Sequence, residues 1–324
     1  MNIIDLLKES VAHACSDVHL SAGMPPMVRL DGDLTRLDAD ILDNIQVGDM
    51  IHELMDDKQR QRYAQGLECD FAFSIDKLAR FRVNAYYHNR GVGAAIRILP
   101  VEIPSLEHAP SIFKEFVLMD KGLIVVTGST GSGKSTTLAA MLNERNQKHK
   151  GHILTLEDPI EFIHDSKTSL VTQREIERDT TSFATALRAA LRQDPDMILV
   201  GELRDLETIR LALSAAETGH LVLATLHSNS AIKTIDRIIE VFPAAEKDMI
   251  RNMLSESLQA VIAQCLLKKA KGEAGRIAIY EILVATPAVR NLIREHKIAQ
   301  IYSAMQTGKK FGMQTMDQQL KCYN

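Results

Sequence analysis

The chain has 324 residues, 45% hydrophobic and 25% charged, with 38 basic and 42 acidic side chains for a net charge of −4. That is the composition of a globular protein with room for two domains, and it exerts no global pull toward nucleic acid or anionic lipid. No apolar run approaches the roughly 18 residues that a membrane helix needs, and the first residues lack the basic-then-apolar layout of a secretory signal, so a cytoplasmic protein is expected.

Residues 1–100 read as a small α+β domain. The stretch 3–14 is helix-like, with Ile3, Ile4, Leu7 and Val11 on one stripe, and Asp17-Val18-His19-Leu20 is a short strand. Pro25-Pro26 breaks the chain. Two short runs, Met27-Val28-Arg29-Leu30 and Leu34-Thr35-Arg36-Leu37, flank Asp31-Gly32 as a hairpin. A helix is expected over 48–63, then strands over 69–73, 79–87 and 92–99. Arg80, Arg82 and Arg97 lie on these strands, and alternation puts Arg80 and Arg82 on one face. Such a face is either solvated or supplies an arginine to a phosphate, in cis or from a neighbouring subunit. Pro100, Pro104 and Pro110 exclude a regular helix over 100–110, so 101–119 is expected to be the interdomain connection and hinge.

From 120 to 324 the pattern changes to α/β. Apolar runs at 123–127, 152–156, 197–200 and 221–226 alternate with helical segments at 136–146, 182–192 and 206–217, which signals a parallel sheet. Further helices are expected over 245–265 and 286–306. The cysteines Cys15, Cys69, Cys265 and Cys322 form no C-x-x-C pair, which indicates neither a zinc module nor a disulfide framework.

Gly128-Ser129-Thr130-Gly131-Ser132-Gly133-Lys134-Ser135 fits the phosphate-binding pattern G-x-x-x-x-G-K-[ST], with a strand before it and a helix after it. Strand, glycine-rich turn and helix N-terminus together make a nest of backbone N–H groups that favours phosphate oxygens. The expected nucleotide contacts are Ser129, Thr130, Gly131, Ser132, Gly133, Lys134, Ser135 and Thr136. Lys134 should reach the β- and γ-phosphates, and the Ser135 hydroxyl should bind Mg²⁺. ATP and Mg²⁺ are therefore the expected cofactors.

Ligands of open α/β sheets bind beyond the C-terminal ends of the strands, and each strand here ends in functional chemistry. The second ends at Glu157-Asp158-Pro159, the third at Gly201-Glu202 and the fourth at His227. A carboxylate at Glu202 can act on Mg²⁺, directly or through water, or polarise the attacking water. Of Glu157 and Asp158, one can position water or metal while the other braces the loop. His227 is placed to sense the γ-phosphate. His220 lies at the opposite end of the same strand, and neither histidine has ligand-spaced partners for a transition metal.

These residues together resemble the secretion ATPase superfamily that powers type IV pili and type II and IV secretion. The resemblance runs from Ser16-Asp17-Val18-His19-Leu20-Ser21-Ala22-Gly23, similar to the start of the family's PAS-like N-terminal domain, through the phosphate loop. It continues with an Asp box at 154–162, an atypical Walker B at 194–205, where Gly201 replaces the usual Asp, and a His box at 218–228. Ala288-Val289-Arg290-Asn291-Leu292-Ile293-Arg294-Glu295 resembles the AIRNLIRE signature of the pilus retraction branch. Extension and type II secretion members usually carry a further N-terminal domain and a four-cysteine zinc insertion; 264–269 passes through that region with one cysteine. Ser129 stands where the family usually has Pro, and a longer helical tail usually follows the segment 313–318.

The resemblance implies a RecA-like ATPase core and a homohexameric ring. ATP would lie between one subunit's core and the neighbour's N-terminal domain, with Arg82 and Arg97 as trans contacts and the 100–110 connection as the axis of rotation. It implies a motor for pilus retraction and twitching motility, with Glu202 as catalytic acid supported by Glu157. The motor would act at the cytoplasmic face of the inner membrane on a pilus platform protein, with a paralogous retraction ATPase as a further partner. A pilus extension or type II secretion ATPase is the alternative within the family, and a non-motor ATP-binding switch the alternative outside it. A nucleic-acid motor is disfavoured by the absence of Trp, of a basic tail and of a net basic balance.

Overall fold

The computed structural model describes residues 2–30, 32–99, 102–269 and 275–321. Asp31 of the hairpin, Pro100 and Val101 of the connection, and Cys322, Tyr323 and Asn324 of the tail lie outside the described residues. The chain divides into two compact units. One comprises the residues up to Glu102 together with Pro159–Ile163; the other comprises Ile103–Asp158 and the residues from His164 onward.

In the first unit, α1 (Ile3–Ala12) begins where the Asn2 side chain accepts the Ile4 N–H at 2.8 Å, and it buries Ile3, Leu6 and Leu7. Strands β1 (Asp17–Ser21), β2 (Met27–Leu30), β3 (Asp33–Arg36), β4 (Glu68–Ile75), β5 (Ala79–His88) and β6 (Gly91–Leu99) form a sheet in the order β3-β2-β1-β6-β5-β4. Neighbouring strands are antiparallel throughout. Alternation sends Val18, Leu20, Phe81, Val83, Ala85, Ala94 and Ile96 into the core shared with α1 and with α2 (Asn44–Leu54). The stretch predicted as one helix over 48–63 is two, α2 and α3 (Asp57–Gly66). Asp56 stops the first by starting the second: its carboxylate accepts the Gln59 N–H while the Gln59 side chain accepts the Asp56 N–H, a reciprocal cap.

The second unit opens with a short helix, α4 (Ile112–Phe116), within the stretch predicted to be a connection over 101–119. Phe113 and Phe116 are buried, so these residues belong to a core despite the prolines before them. Arg145 is 1% exposed, and its guanidinium donates to the carbonyls of Val117 (2.6 Å) and Met119 (3.0 Å), tying the segment after α4 to α5 (Lys134–Lys148).

The central sheet contains β7 (Gly122–Thr127), β8 (His152–Glu157), β9 (Leu170–Glu175), β10 (Met197–Val200), β11 (Leu221–Leu226), β12 (Leu258–Lys268) and β13 (Arg276–Val284), in the order β13-β12-β7-β11-β10-β8-β9. All neighbours are parallel except β13, which runs antiparallel to β12 at the edge. Both faces are covered. Ile124 and Val126 point to the side of α4 and α5. Leu123 and Val125 point to the side of α6 (Phe183–Ala190), α7 (Leu206–Glu217), α8 (Ala231–Glu240), α9 (Lys247–Ser257), α10 (Pro287–Arg294) and α11 (Ile301–Thr307). Strands buried on both faces lose the period of two, which explains their unbroken apolar runs.

Two expectations are corrected here. The helix predicted over 245–265 ends at Ser257, and the chain continues directly as β12, whose Ala260, Val261, Ile262 and Ala263 are fully buried. A wholly apolar run carries no periodicity to tell a buried strand from a buried helix. The helix predicted over 286–306 is α10 followed by α11. The chain ends with α12 (Met316–Leu320), capped by the Thr315 side chain.

Candidate active site

The register of the parallel strands brings their C-terminal ends together. Leu226 is level with Thr127, Val200 with Ala224, and Leu156 with Val200. Residues at or just beyond these ends, Glu157, Gly128, Glu202 and His227, therefore share the C-terminal edge of the parallel strands. The strand order places the turn of the phosphate loop between β12 and β11.

The loop itself runs from β7 into α5. Gly128 (φ 153°), Gly131 (φ 76°) and Gly133 (φ 87°) take conformations that a side chain disfavours, and Gly133 is the residue that caps α5. No side chain caps α5, although Ser182, Asp205, Ser230 and Thr286 cap α6, α7, α8 and α10. The first-turn N–H groups of α5 are thus left for an external acceptor. Lys134 is 9% exposed, and its ammonium donates to the carbonyls of Gly128 (2.9 Å) and Ser129 (3.0 Å), which holds the charge in the mouth of the loop. The buried Ser132 hydroxyl has no partner among the described residues. Ser129, Thr130, Gly131 and Thr136 are exposed, and Ser135 is half-buried at the head of the helix. A cationic cradle of free N–H groups and an unpaired hydroxyl fits a polyphosphate.

Beyond β10, Glu202 is held from two sides. Arg204 Nε donates to Glu202 Oε2 at 2.6 Å, and His227 Nε2 lies 3.2 Å from Glu202 Oε1. Arg204 also faces Asp158 Oδ2 at 3.5 Å. One chain of charge, Asp158–Arg204–Glu202–His227, thereby links the ends of β8, β10 and β11. The Glu202 hydrogen bond, then the charges of Glu202 and Asp158, push the Arg204 pKa up. The Gly201 position explains the displaced acid: its N–H donates to the Leu156 carbonyl at 2.8 Å, and a Cβ there would lie 3.1 Å from that oxygen. The Thr225 hydroxyl donates to the Gly201 carbonyl, fixing the turn into Glu202 from β11.

Glu157 is oriented differently. Its Oε1 accepts from the Thr155 hydroxyl (2.7 Å) and from Gln173 Nε2 on β9 (3.1 Å). Gln173 Oε1 accepts the His164 N–H at 2.7 Å, so one amide braces both the carboxylate and the loop that follows it. His227 is set by its backbone, whose carbonyl accepts from Arg237 of α8 at 2.6 Å. His220 lies before β11, where its Nδ1 is 3.1 Å from the Ala215 carbonyl at the end of α7; the structure makes it a helix-end contact away from the phosphate loop.

The arginines of the first unit fall into two environments. Arg80 shares a strand face with Arg82, but it is buried, with Nε donating to the Ile160 carbonyl at 2.6 Å and Nη1 to Ser74 at 3.2 Å. Arg82 is level with Arg97, Arg97 with Asp17, and Asp17 with Arg29, a row across four strands. Asp17 neutralises part of it, at 3.1 Å from Arg97 and 3.9 Å from Arg29. Arg82 has no ion-pair partner among the described residues, which leaves it the freer of the two expected trans contacts.

Sequence reasoning singled out Lys134, Glu157, Glu202 and His227 but gave no role to Arg204, Gln173 or Thr155. Arg204 was recoverable, because it stands two residues after Glu202 in the same turn. Gln173 was not, because β9 itself carried no clear strand signal.

The model of the family described as Type II/IV secretion system protein matches residues 5–322. The type IV pilus retraction ATPase PilT of Pseudomonas aeruginosa is 58% identical over 323 residues, 99% of this chain and 93% of the relative. The twitching motility protein of Neisseria gonorrhoeae is 55% identical over 322 residues, 99% of this chain and 86% of the relative. A crystal structure of the pilus retraction motor PilT with bound ADP superposes with a TM-score of 0.91 at 46% identity, covering 99% of this chain and 92% of that one.

Proposed function

Because the chain belongs to the Type II/IV secretion system protein family, we infer that its phosphate loop and the acids beside it serve the retraction of type IV pili. The chain is an ATPase of the pilus retraction type. One observation carries the reading: the phosphate loop, Glu157, Glu202 and His227 lie at the C-terminal ends of neighbouring parallel strands, in a chain that aligns almost end to end with a retraction ATPase.

In this reading Lys134 exchanges its two loop carbonyls for phosphate oxygens, and the uncapped first turn of α5 adds N–H donors. The contacts run from Ser129 through Thr136. Glu202 orients and polarises the water that attacks the γ-phosphate, while Arg204 and His227 hold its carboxylate in place. Glu157 supports it from β8, and His227 reports the γ-phosphate through its bond to Glu202. Ser135 and, directly or through water, Glu202 would hold Mg²⁺, which when bound neutralises charge on the β- and γ-phosphoryl oxygens. Arg82 and Arg97 act on the nucleotide of a neighbouring subunit in a homohexameric ring, with the 100–110 connection ahead of α4 as the axis of rotation. The ring works at the cytoplasmic face of the inner membrane on the pilus platform protein, alongside a paralogous retraction ATPase.

The test is complementation of a piliated bacterium that lacks its retraction ATPase. Wild-type protein should restore twitching and Glu202→Gln should not. Failure of a wild-type protein that hydrolyses ATP normally would contradict the retraction assignment.

A further inference from the structure

One residue far along the chain bonds the first turn of α5 and closely approaches both ends of the phosphate loop. Gln264 sits on β12, one residue past Ala263, which is level with Thr127 at the end of β7. Its side-chain Oε1 accepts the hydroxyl of Thr137, one turn into α5, at 2.8 Å. That bond turns Nε2 toward the end of the loop, where a Cβ on Gly133 would lie 2.8 Å from it. The backbone carbonyl of Gln264 lies against Gly128 at the start of the loop, so closely that a Cβ there would overlap it. Gly128 and Gly133 are the two fixed glycines of the motif, and the same residue crowds both. Gln264 and Thr137 are buried, at 4% and 5% exposure.

We propose that Gln264 is the positioning residue of the phosphate loop, setting through Thr137 the spacing between the loop and the first turn of α5 and hence the affinity for the nucleotide's phosphates. This rests on the nucleotide-binding reading above. A buried hydroxyl and amide are costly to leave unpaired, so the bond fixes where α5 begins relative to β12. Lys134 and the uncapped N–H groups ride on that first turn. Gln264 touches none of the reacting groups placed above, so its removal should weaken binding more than the chemical step.

The test measures binding of a fluorescent ADP analogue with Mg²⁺, together with ATPase KM and kcat, on the full chain. Gln264→Leu and Thr137→Val should each weaken ADP binding and raise KM by about tenfold, the worth of one buried hydrogen bond, while kcat falls less than threefold. The double variant should be no worse than either single one, because both remove the same bond. Thr137→Ser keeps the donor and should bind within about twofold of wild type. Thermal melting of each variant separates misfolding from a loosened loop. Additive losses in the double variant, or a fall in kcat at unchanged KM, would overturn the inference. Absence of ADP binding by the wild type would instead overturn the nucleotide reading on which it stands.

Discussion

Glu202 is an acid whose two oxygens are both spoken for, one by Arg204 and one by His227. An acid so held cannot swing, which suits a group that must place one water in line with a phosphorus atom. Arg204→Ala should therefore cut turnover by roughly ten- to hundredfold, the worth of a charge-assisted hydrogen bond, with ADP affinity little changed. Steady-state phosphate release alongside ADP titration checks this. A second residue matters for pH. His164 is 7% exposed, its Nδ1 has no partner among the described residues, and burial, then the nearby Lys167, holds its pKa down at about 4. The folded chain therefore resists protonating it, whereas the unfolded chain takes the proton near pH 6.5. Stability is full above that value and is lost as pH falls toward 4, by about 2 kcal/mol between pH 7 and pH 5. Urea unfolding at the two pH values should show the loss, and a His164→Gln variant should show a smaller one. At this scale the sequence revealed the residues that belong to motifs and hid those that only reach into them. Lys134 and Glu202 are legible from spacing. Gln264 and Gln173 are legible only once β12 and β9 are in place.

Strands gave the least away where no turn signal bounded them. β7, β10 and β11 were readable because turn signals and helical patterns bound them on both sides. β12 follows α9 without a turn residue, so its apolar run merged with the helix before it. In the sheet it forms the wall beside the phosphate loop, and Ile262→Ala should cost about 3 kcal/mol in urea unfolding. One edge of the sheet is β13, and the last described segment pairs with it. Gln314 exchanges backbone hydrogen bonds with Ile282 at 2.8 and 3.1 Å, its side chain donates to the Tyr280 carbonyl at 2.9 Å, and the Gln319 side chain accepts the Tyr280 N–H. The buried Glu281 carboxylate accepts the Ala231 N–H at the head of α8 (2.7 Å) and the Met316 N–H at the head of α12 (3.5 Å). An uncovered edge strand pairs with other chains. Truncation after Gly312 should therefore lower the melting temperature and produce aggregation visible by light scattering. Unchanged melting and clear solutions would show that the segment is dispensable to the fold. The AIRNLIRE-like stretch divides in the same way. Arg290 donates to the carbonyls of Ser255 and Glu256 at the end of α9, so Arg290→Ala should lower stability, whereas Arg294 is exposed and its loss should leave melting unchanged.

The two units differ in kind, and composition alone could not divide them. An antiparallel sheet with helices on one side makes the first, and a parallel sheet covered on both faces makes the second. The second carries the phosphate loop and all four strand-end residues of the site, and the first carries the arginine row. Phosphate release by the purified chain, separated by size, with wild type beside Lys134→Ala and Glu202→Gln, tests the account most directly. Turnover is expected in the hexamer-sized fraction, with loss of both binding and turnover in Lys134→Ala, and retained binding with turnover at least about a hundredfold lower in Glu202→Gln. Wild-type turnover in Glu202→Gln, or tight ATP binding with no turnover by the wild type in any fraction, would contradict it.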